Sequence, residues 1–266
     1  MENNKKQMPV LFIGHGSPMN AIENNNITKE WQNIASLLPQ PKAILCISAH
    51  WETGGTKITA MEHPKTIHDF YGFPKQLFDV LYPAKGSSEI AKEIMHLSKN
   101  EKIDLDYNWG LDHGTWSILN HLYPEADIPV LQLSIDDKKS PLEHFQFAST
   151  LKLLRNEGIL ILGSGNIVHN LGEVEWTDYG LSEKGHTWAI EFDELIKELI
   201  LKRDFDSIIN FEKLGLSAQL SIPTSEHFLP LIYCLGMTDE NDKINFFTES
   251  LIGGSLSMRS VVFGSI

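Results

Sequence analysis

Short unbroken apolar runs alternate along this chain with longer stretches in which apolar residues recur every three or four positions. Residues 9–13, 43–48, 128–135 and 158–163 are Val/Ile/Leu-rich runs closed by Gly, Ser or Pro, the form of strands buried on both faces. Helical spacing fills the intervals at residues 28–38, 87–98, 115–122 and 142–156. The longest amphipathic stretch follows, with Trp188, Phe192, Leu195, Ile196 and Leu199 on one stripe, which reads as core rather than as a cofactor box. A helix near residues 227–235 and strand-like runs at 244–248 and 257–263 complete the pattern. Consecutive βα units with buried strands predict an α/β fold, a mostly parallel central sheet with helices on both faces. With no internal repeat, low-complexity segment or Pro/Ser linker, residues 1–266 read as one catalytic domain.

The polar residues fall at particular ends of these elements. The first strand runs out in Gly14-His15-Gly16-Ser17-Pro18 and the second in Ser48-Ala49-His50-Trp51. The 158–163 strand runs out in Gly163-Ser164-Gly165-Asn166, with His169 just beyond. Three strands thus each deliver a histidine at or after the carboxyl end, the edge where open α/β sheets bind ligands. His113 lies in a polar turn before a helix, Trp109 to Thr115, and His227 at a helix start, Pro223 to Phe228. Neutral imidazole is the commonest protein ligand for Zn, Fe and Cu, and such ligands need to converge only in space. A single strand-end histidine is more often hydrogen-bonded structure; three at one edge point to a site. His63, His96, His121, His144 and His186 sit in surface-like or helical contexts and read as structural. His68 lies in an aromatic, Gly/Pro-punctuated loop, Thr66 to Pro74, that either walls a pocket for a flat substrate or simply packs as a connection.

Composition narrows the function. At 42% hydrophobic the chain buries a real core, and 22 Lys+Arg against 35 Asp+Glu give a formal charge of −13. That excess of acid argues against nucleic acid and against a polyanionic membrane face. No apolar run approaches the ~18–20 residues of a membrane span. The apolar run after Lys5 and Lys6 is too short for a signal-peptide core, so a cytoplasmic protein is expected. Cys46 and Cys234 each sit in an apolar run and read as buried free thiols, with no C-x-x-C pair to make a zinc finger or redox dithiol. Gly14-His15-Gly16 opens like a dinucleotide fingerprint, but Met19 stands where its third glycine belongs. Walker A, G-x-S-x-G and H-E-x-x-H sequences are all missing, which weakens phosphoryl transfer, serine hydrolysis and zincin chemistry together.

Six segments in order carry a resemblance. Gly14 to Asn20, Ser48 to Trp51, Ile67 to Phe70, Asp112 to Gly114, Gly165 to Asn170, and Glu226-His227 with Pro230 are similar to the motifs of the class III extradiol ring-cleavage dioxygenases. Within that LigB-type superfamily the chain most resembles the DOPA 4,5-dioxygenase branch, and the similarity runs from about Pro9 to the C-terminus. The resemblance implies a single α/β domain and one divalent metal ion per chain that opens a catechol ring with O₂. It maps the metal-binding histidines onto His15, His50 and His227. His169 maps to a further active-site histidine, either a fourth metal ligand or a catalytic acid/base, and His113 to the acid/base on the oxygen side. Much of the superfamily uses two His and one Glu, the facial triad of non-haem Fe(II); here Glu226 is the rival to its neighbour His227.

The implied chemistry is coherent. Three protein ligands on an octahedral ion leave room for two catechol oxygens and O₂. A nearby neutral histidine takes the proton of the coordinated catechol, since its pKa lies close to neutral pH. Fe(II) is expected for activity because zinc is redox-inert, although the Irving–Williams order favours Zn(II) in purified protein. A zinc hydrolase or lyase using metal-bound hydroxide on the same fold is the competing reading, and a non-catalytic metal or catechol binder is a third.

Overall fold

The computed structural model describes residues 7–98, 101–177 and 180–266. Eight strands, β1 (Val10–Gly14), β2 (Ala43–Thr53), β3 (Thr56–Thr59), β4 (Ile103–Asp106), β5 (Val130–Asp136), β6 (Ile159–Gly165), β7 (Ile244–Phe247) and β8 (Ser260–Phe263), form one sheet. Their spatial order is β4-β3-β5-β2-β6-β1-β8-β7. The centre β5-β2-β6-β1 is parallel throughout. Towards one side β3 runs antiparallel to β5 and parallel to β4; at the other, β8 and β7 are antiparallel. The mostly parallel α/β sheet expected from the sequence is therefore present, with antiparallel additions on both sides.

Successive residues of a strand point to opposite faces, so a central strand buried on both sides feeds two cores. Val10, Phe12, Leu45, Ile47, Leu131, Leu133 and Ile161 face one cluster. It is closed by helices α2 (Ser88–Leu97), α4 (Pro141–Thr150), α5 (Thr187–Lys202) and α6 (Leu229–Gly236), through Ile90, Phe147, Phe192 and Leu231 among others. Leu11, Ile13, Ile44, Cys46, Leu160 and Leu162 face the other, under α1 (Asn26–Leu37) and α3 (His113–Leu122), which supply Trp31, Trp116 and Leu119. The α5 stripe is core, as its spacing predicts, with Phe192 and Ile196 fully buried. Both cysteines are buried and free.

Helix starts follow local chemistry. Asn25 and Thr28 make a capping box at α1, and Ser140 and Glu143 make one at α4, with Pro141 leading. The helix expected over 142–156 stops at Thr150 and continues as a 3-10 segment, Lys152–Glu157. Tertiary contacts account for this: the buried Arg155 donates from Nε to the Met8 carbonyl at 2.7 Å and from both terminal nitrogens to Asp242 at 2.7 Å. Strands β3 and β4 lie outside the expected set, because each has only four residues with few apolar positions and gains its hydrogen bonds from neighbours remote in sequence. Among the described residues no helix is long and apolar enough to cross a membrane.

Candidate metal centre

Three neighbouring parallel strands, β2, β6 and β1, run level, with Ser48 and Ile13 both opposite Ser164. Strands β1 and β6 stop at Gly14 and Gly165, whereas β2 runs on past the expected 43–48 to Thr53, so His50 lies within the strand. His15 follows β1 directly, and its backbone N–H is tied to the Gly165 carbonyl at 3.1 Å. The next residue, Gly16, turns the chain with φ +60, and a Cβ there would lie 2.5 Å from Met258 Sδ, so a residue without a side chain is required. His50 is aimed by a break in register. Between Ile47 and Glu52 the chain of β2 outruns β5, which advances only from Leu133 to Ile135; such bulges redirect side chains at sheet edges. His227 lies ahead of α6, and its carbonyl accepts from Asn166 N–H at 2.8 Å. That contact needs Gly165, where a Cβ would fall 2.1 Å from the His227 carbonyl oxygen.

The result is a cluster of imidazoles. The rings of His15, His50 and His227 have centroids 5.0–5.3 Å apart, and one nitrogen from each lies within 4.8 Å of the other two. Hydrogen bonds fix which nitrogen faces inward. Ser164 Oγ donates its only hydrogen to the Gly114 carbonyl at 2.6 Å, so it must accept from His15 Nδ1 at 2.9 Å. His15 Nε2 therefore carries a lone pair. A carboxylate only accepts, so Glu226 Oε1, 3.0 Å from His227 Nδ1, takes the proton there. His227 Nε2 is left buried with no hydrogen-bond partner among the described residues. On His50, Nδ1 faces Asp69 Oδ2 at 3.6 Å while Nε2 stands 3.1 Å from His15 Nε2. With Nδ1 protonated towards the carboxylate, lone pairs meet head on, an arrangement a cation relieves.

Charge state agrees. Burial first, then the adjacent His50 and His227, hold the His15 imidazole well below its ordinary pKa. Burial and then His169 do the same to His227. His50 is pushed down to about 3, chiefly by burial and then by His113, against the opposing pull of Asp69. All three are thus neutral near pH 7, the protonation state in which imidazole ligates metals.

Two further histidines border the cluster. His113 is the first residue of α3, whose N-cap Asp112 accepts from Thr115 N–H. Asp112 is fully buried and receives Ser48 Oγ at 2.8 Å and Gln132 Nε2 at 2.6 Å, which ties the helix start to β2 and β5. Burial first, then the Asp69 charge, raise the Asp112 carboxyl pKa against those two bonds. The His113 ring lies over His50, centroids 3.9 Å apart, and meets Phe70 edge-on at 5.6 Å. His169 stacks flat on His227, centroids 3.4 Å apart and planes within 5°. Its backbone N–H donates to the Ser221 carbonyl at 2.9 Å, and burial lowers its pKa to about 4 against the pull of Glu226. It groups with Glu226 and His227, separately from the His15–His50–His227 set.

This geometry has counterparts among known proteins. The family model of the catalytic LigB subunit of aromatic ring-opening dioxygenase matches residues 9–264. This chain belongs to the LigB family. Among its relatives is the 4,5-DOPA dioxygenase extradiol of Escherichia coli (strain K12), 46% identical over 97% of this chain and 95% of that protein. The 4,5-DOPA dioxygenase extradiol of Beta vulgaris is 36% identical over 99% and 98% respectively. A crystal structure of an uncharacterized Escherichia coli K12 protein superposes with a TM-score of 0.83 at 40% identity, covering 97% of this chain and 100% of that one. The family makes this LigB chain an oxidoreductase that opens aromatic rings, and the converging imidazoles suit the metal dependence the family carries.

In this LigB-family fold the five histidines line a cavity of about 400 Å³. Phe70, Phe73, Leu171, Val174, Trp176 and Leu181 form much of the remaining wall. The 66–74 loop thus walls the cavity through Phe70 and Phe73, whereas His68 is engaged by neighbouring structure, its Nε2 donating to the Val80 carbonyl at 3.0 Å. His144 is buried against Tyr233 Oη at 2.9 Å, and His121 reaches the Asn20 carbonyl at 2.7 Å, both structural as read. Ser164 and Asp69 were given no role by the sequence reading. Ser164 sits inside Gly163-Ser164-Gly165 and Asp69 inside the Ile67 to Phe70 motif, so a polar residue within a motif was the available signal.

Proposed function

We propose that this chain is a metal-dependent extradiol dioxygenase that opens the ring of a catechol such as DOPA with O₂. The observation that carries this is the three neutral imidazoles whose inward nitrogens converge in a cavity also lined by Phe70, Phe73 and Trp176. His15, His50 and His227 are the ligands of one divalent ion. Glu226 serves behind His227 rather than in its place, since its carboxylate is engaged by His227 Nδ1 and by Thr224 Oγ1 at 2.9 Å. Such outer carboxylates fix a ligand's tautomer and raise its basicity.

When bound, Fe(II) would supply Lewis-acid binding of the catechol and activation of O₂; Zn(II), favoured by the Irving–Williams order, is the ion expected in isolated protein. The protein's own groups do the rest. Phe70 and Phe73, packed edge to face with centroids 5.4 Å apart, line the cavity and offer apolar surface to a flat ring. His113 accepts a catechol proton and returns it later, a role general acid–base catalysis values at ~10²–10⁴ in rate. His169, stacked on a ligand and bordering the cavity, holds the substrate hydroxyl rather than completing a closed four-ligand site, which would leave no place for catechol. The chain acts in the cytoplasm, on a small molecule and O₂.

The test is oxygen uptake on a panel of catechols after anaerobic Fe(II) loading, with metal analysis of each variant. His15→Ala and His50→Ala should each lose both metal and uptake. Full metal occupancy and turnover in either variant would reject the ligand set, and metal binding without any oxygen uptake would favour metal-bound hydroxide chemistry instead.

A further inference from the structure

We propose that Asp69 is a positioning residue that fixes the orientation and tautomer of His113; the inference rests on the acid/base reading of His113 above. The loop bearing Asp69 is laced to the segment leading into α3. Ile67 N–H donates to the Leu111 carbonyl at 2.7 Å and Leu111 N–H to the Lys65 carbonyl at 2.8 Å. Trp116 Nε1 donates to the Ile67 carbonyl at 2.8 Å. These three bonds set Asp69 at the start of the helix.

There its two oxygens take different parts of one residue. Oδ1 accepts the His113 backbone N–H at 2.9 Å, and Oδ2 lies 3.0 Å from the ring nitrogen Nδ1. The first backbone N–H groups of a helix have no partner within it, and the positive end of the helix favours a carboxylate. The fork therefore holds main chain and ring together, which restricts the rotation of a side chain that is only 7% exposed. The Nδ1 contact is close but off the line of a well-aligned hydrogen bond, as is common before substrate draws catalytic contacts tight.

The carboxylate is also decisive for the tautomer. Since it can only accept, it favours Nδ1–H on His113 and leaves Nε2 with the lone pair a proton acceptor needs. A neutral imidazole with the opposite tautomer could donate from Nε2 but could not accept there. The serine-protease triad shows the consequence in another setting: exchanging its carboxylate for an amide keeps the geometry and costs about 10⁴ in kcat through the wrong tautomer.

The experiment is Asp69→Asn beside His113→Ala and Asp69→Glu. The asparagine oxygen can still take the His113 backbone N–H, but its amide then presents a donor to Nδ1 and drives the proton to Nε2. Expected for Asp69→Asn is a full equivalent of metal at saturating Zn(II), with affinity weakened by up to ~100-fold because Asp69 Oδ2 also faces His50 Nδ1 at 3.6 Å. Expected with it are a KM within about 3-fold of the parent and a kcat lower by ~10²–10⁴. Ring ¹⁵N spectra of the zinc-bound, histidine-labelled protein should show the His113 proton moved from Nδ1 to Nε2. Asp69→Glu, which keeps a carboxylate, should keep the Nδ1–H tautomer and recover part of the kcat. If Asp69→Asn turns over normally, or leaves the His113 spectrum unchanged, while His113→Ala is impaired, the positioning role is wrong and the acid/base reading stands. Normal turnover in His113→Ala would overturn both. Loss of metal from Asp69→Asn even at saturating Zn(II) would also overturn the inference, because Asp69 would then act through His50, whose Nδ1 its Oδ2 also faces at 3.6 Å.

Discussion

Replacing Ser164 by alanine tests the orientation of His15, a proposed metal ligand, from outside the site. In the folded protein the Ser164 hydroxyl accepts from His15 Nδ1 at 2.9 Å and donates to the Gly114 carbonyl at 2.6 Å, and all of these groups are buried. Removing the oxygen leaves one buried ring N–H without an acceptor, a cost of about 1–3 kcal/mol. The Gly114 carbonyl loses only an extra donor, since Gly114 belongs to α3. For a chain of this size ~2–4 °C of melting temperature goes with each kcal/mol, so the metal-free variant should melt roughly 2–12 °C below the parent. The metal site should suffer separately. Without its acceptor, His15 is free to place the proton on Nε2 and to swing out of line, and loss of such an outer partner typically costs ~10–100-fold in metal affinity. Chelator competition with Zn(II), on parent and Ser164→Ala at matched temperature, reads that term directly. An unchanged affinity alongside reduced stability would show that Ser164 only packs, and would refute the tautomer argument for His15.

Two other perturbations probe the frame. Gly165→Ala places a methyl 2.1 Å from the His227 carbonyl and should cost at least ~1–3 kcal/mol while displacing His227; an undiminished melting temperature would contradict the close approach. His144, buried against Tyr233 and lowered to about 4 chiefly by burial, should make stability depend on pH. Its folded pKa lies below its ordinary one, so the unfolded chain binds more protons between about 6.5 and 4, and stability falls as pH drops through that window. The whole window corresponds to on the order of 3 kcal/mol. Denaturant titrations at several pH values should show a flatter slope in His144→Asn than in the parent, and identical slopes would reject the assignment.

Sequence alone determined which elements form and where their chemistry is delivered. The runs at 9–13, 43–48 and 158–163 are apolar in every position that a doubly covered strand must bury, and each is followed within a few residues by histidine. That combination places His15, His50 and His169 at one sheet edge before any coordinate is known, because parallel strands put like ends together. What a local pattern cannot carry is a partnership across the chain. Ser164 and His15 are 149 positions apart, Asp69 and His113 are 44 apart, and neither spacing leaves a periodic trace. The proposed choice of His227 over Glu226 as ligand likewise rests on the fold. Adjacent residues share one local environment in sequence, and only the fold turns the imidazole inward and leaves the carboxylate behind it on Nδ1. The tilt of His50 likewise came from a register break set by β5, a strand more than seventy residues further along. Burial then fixed the protonation states: the neutral imidazoles follow from tertiary desolvation, which no residue identity specifies by itself.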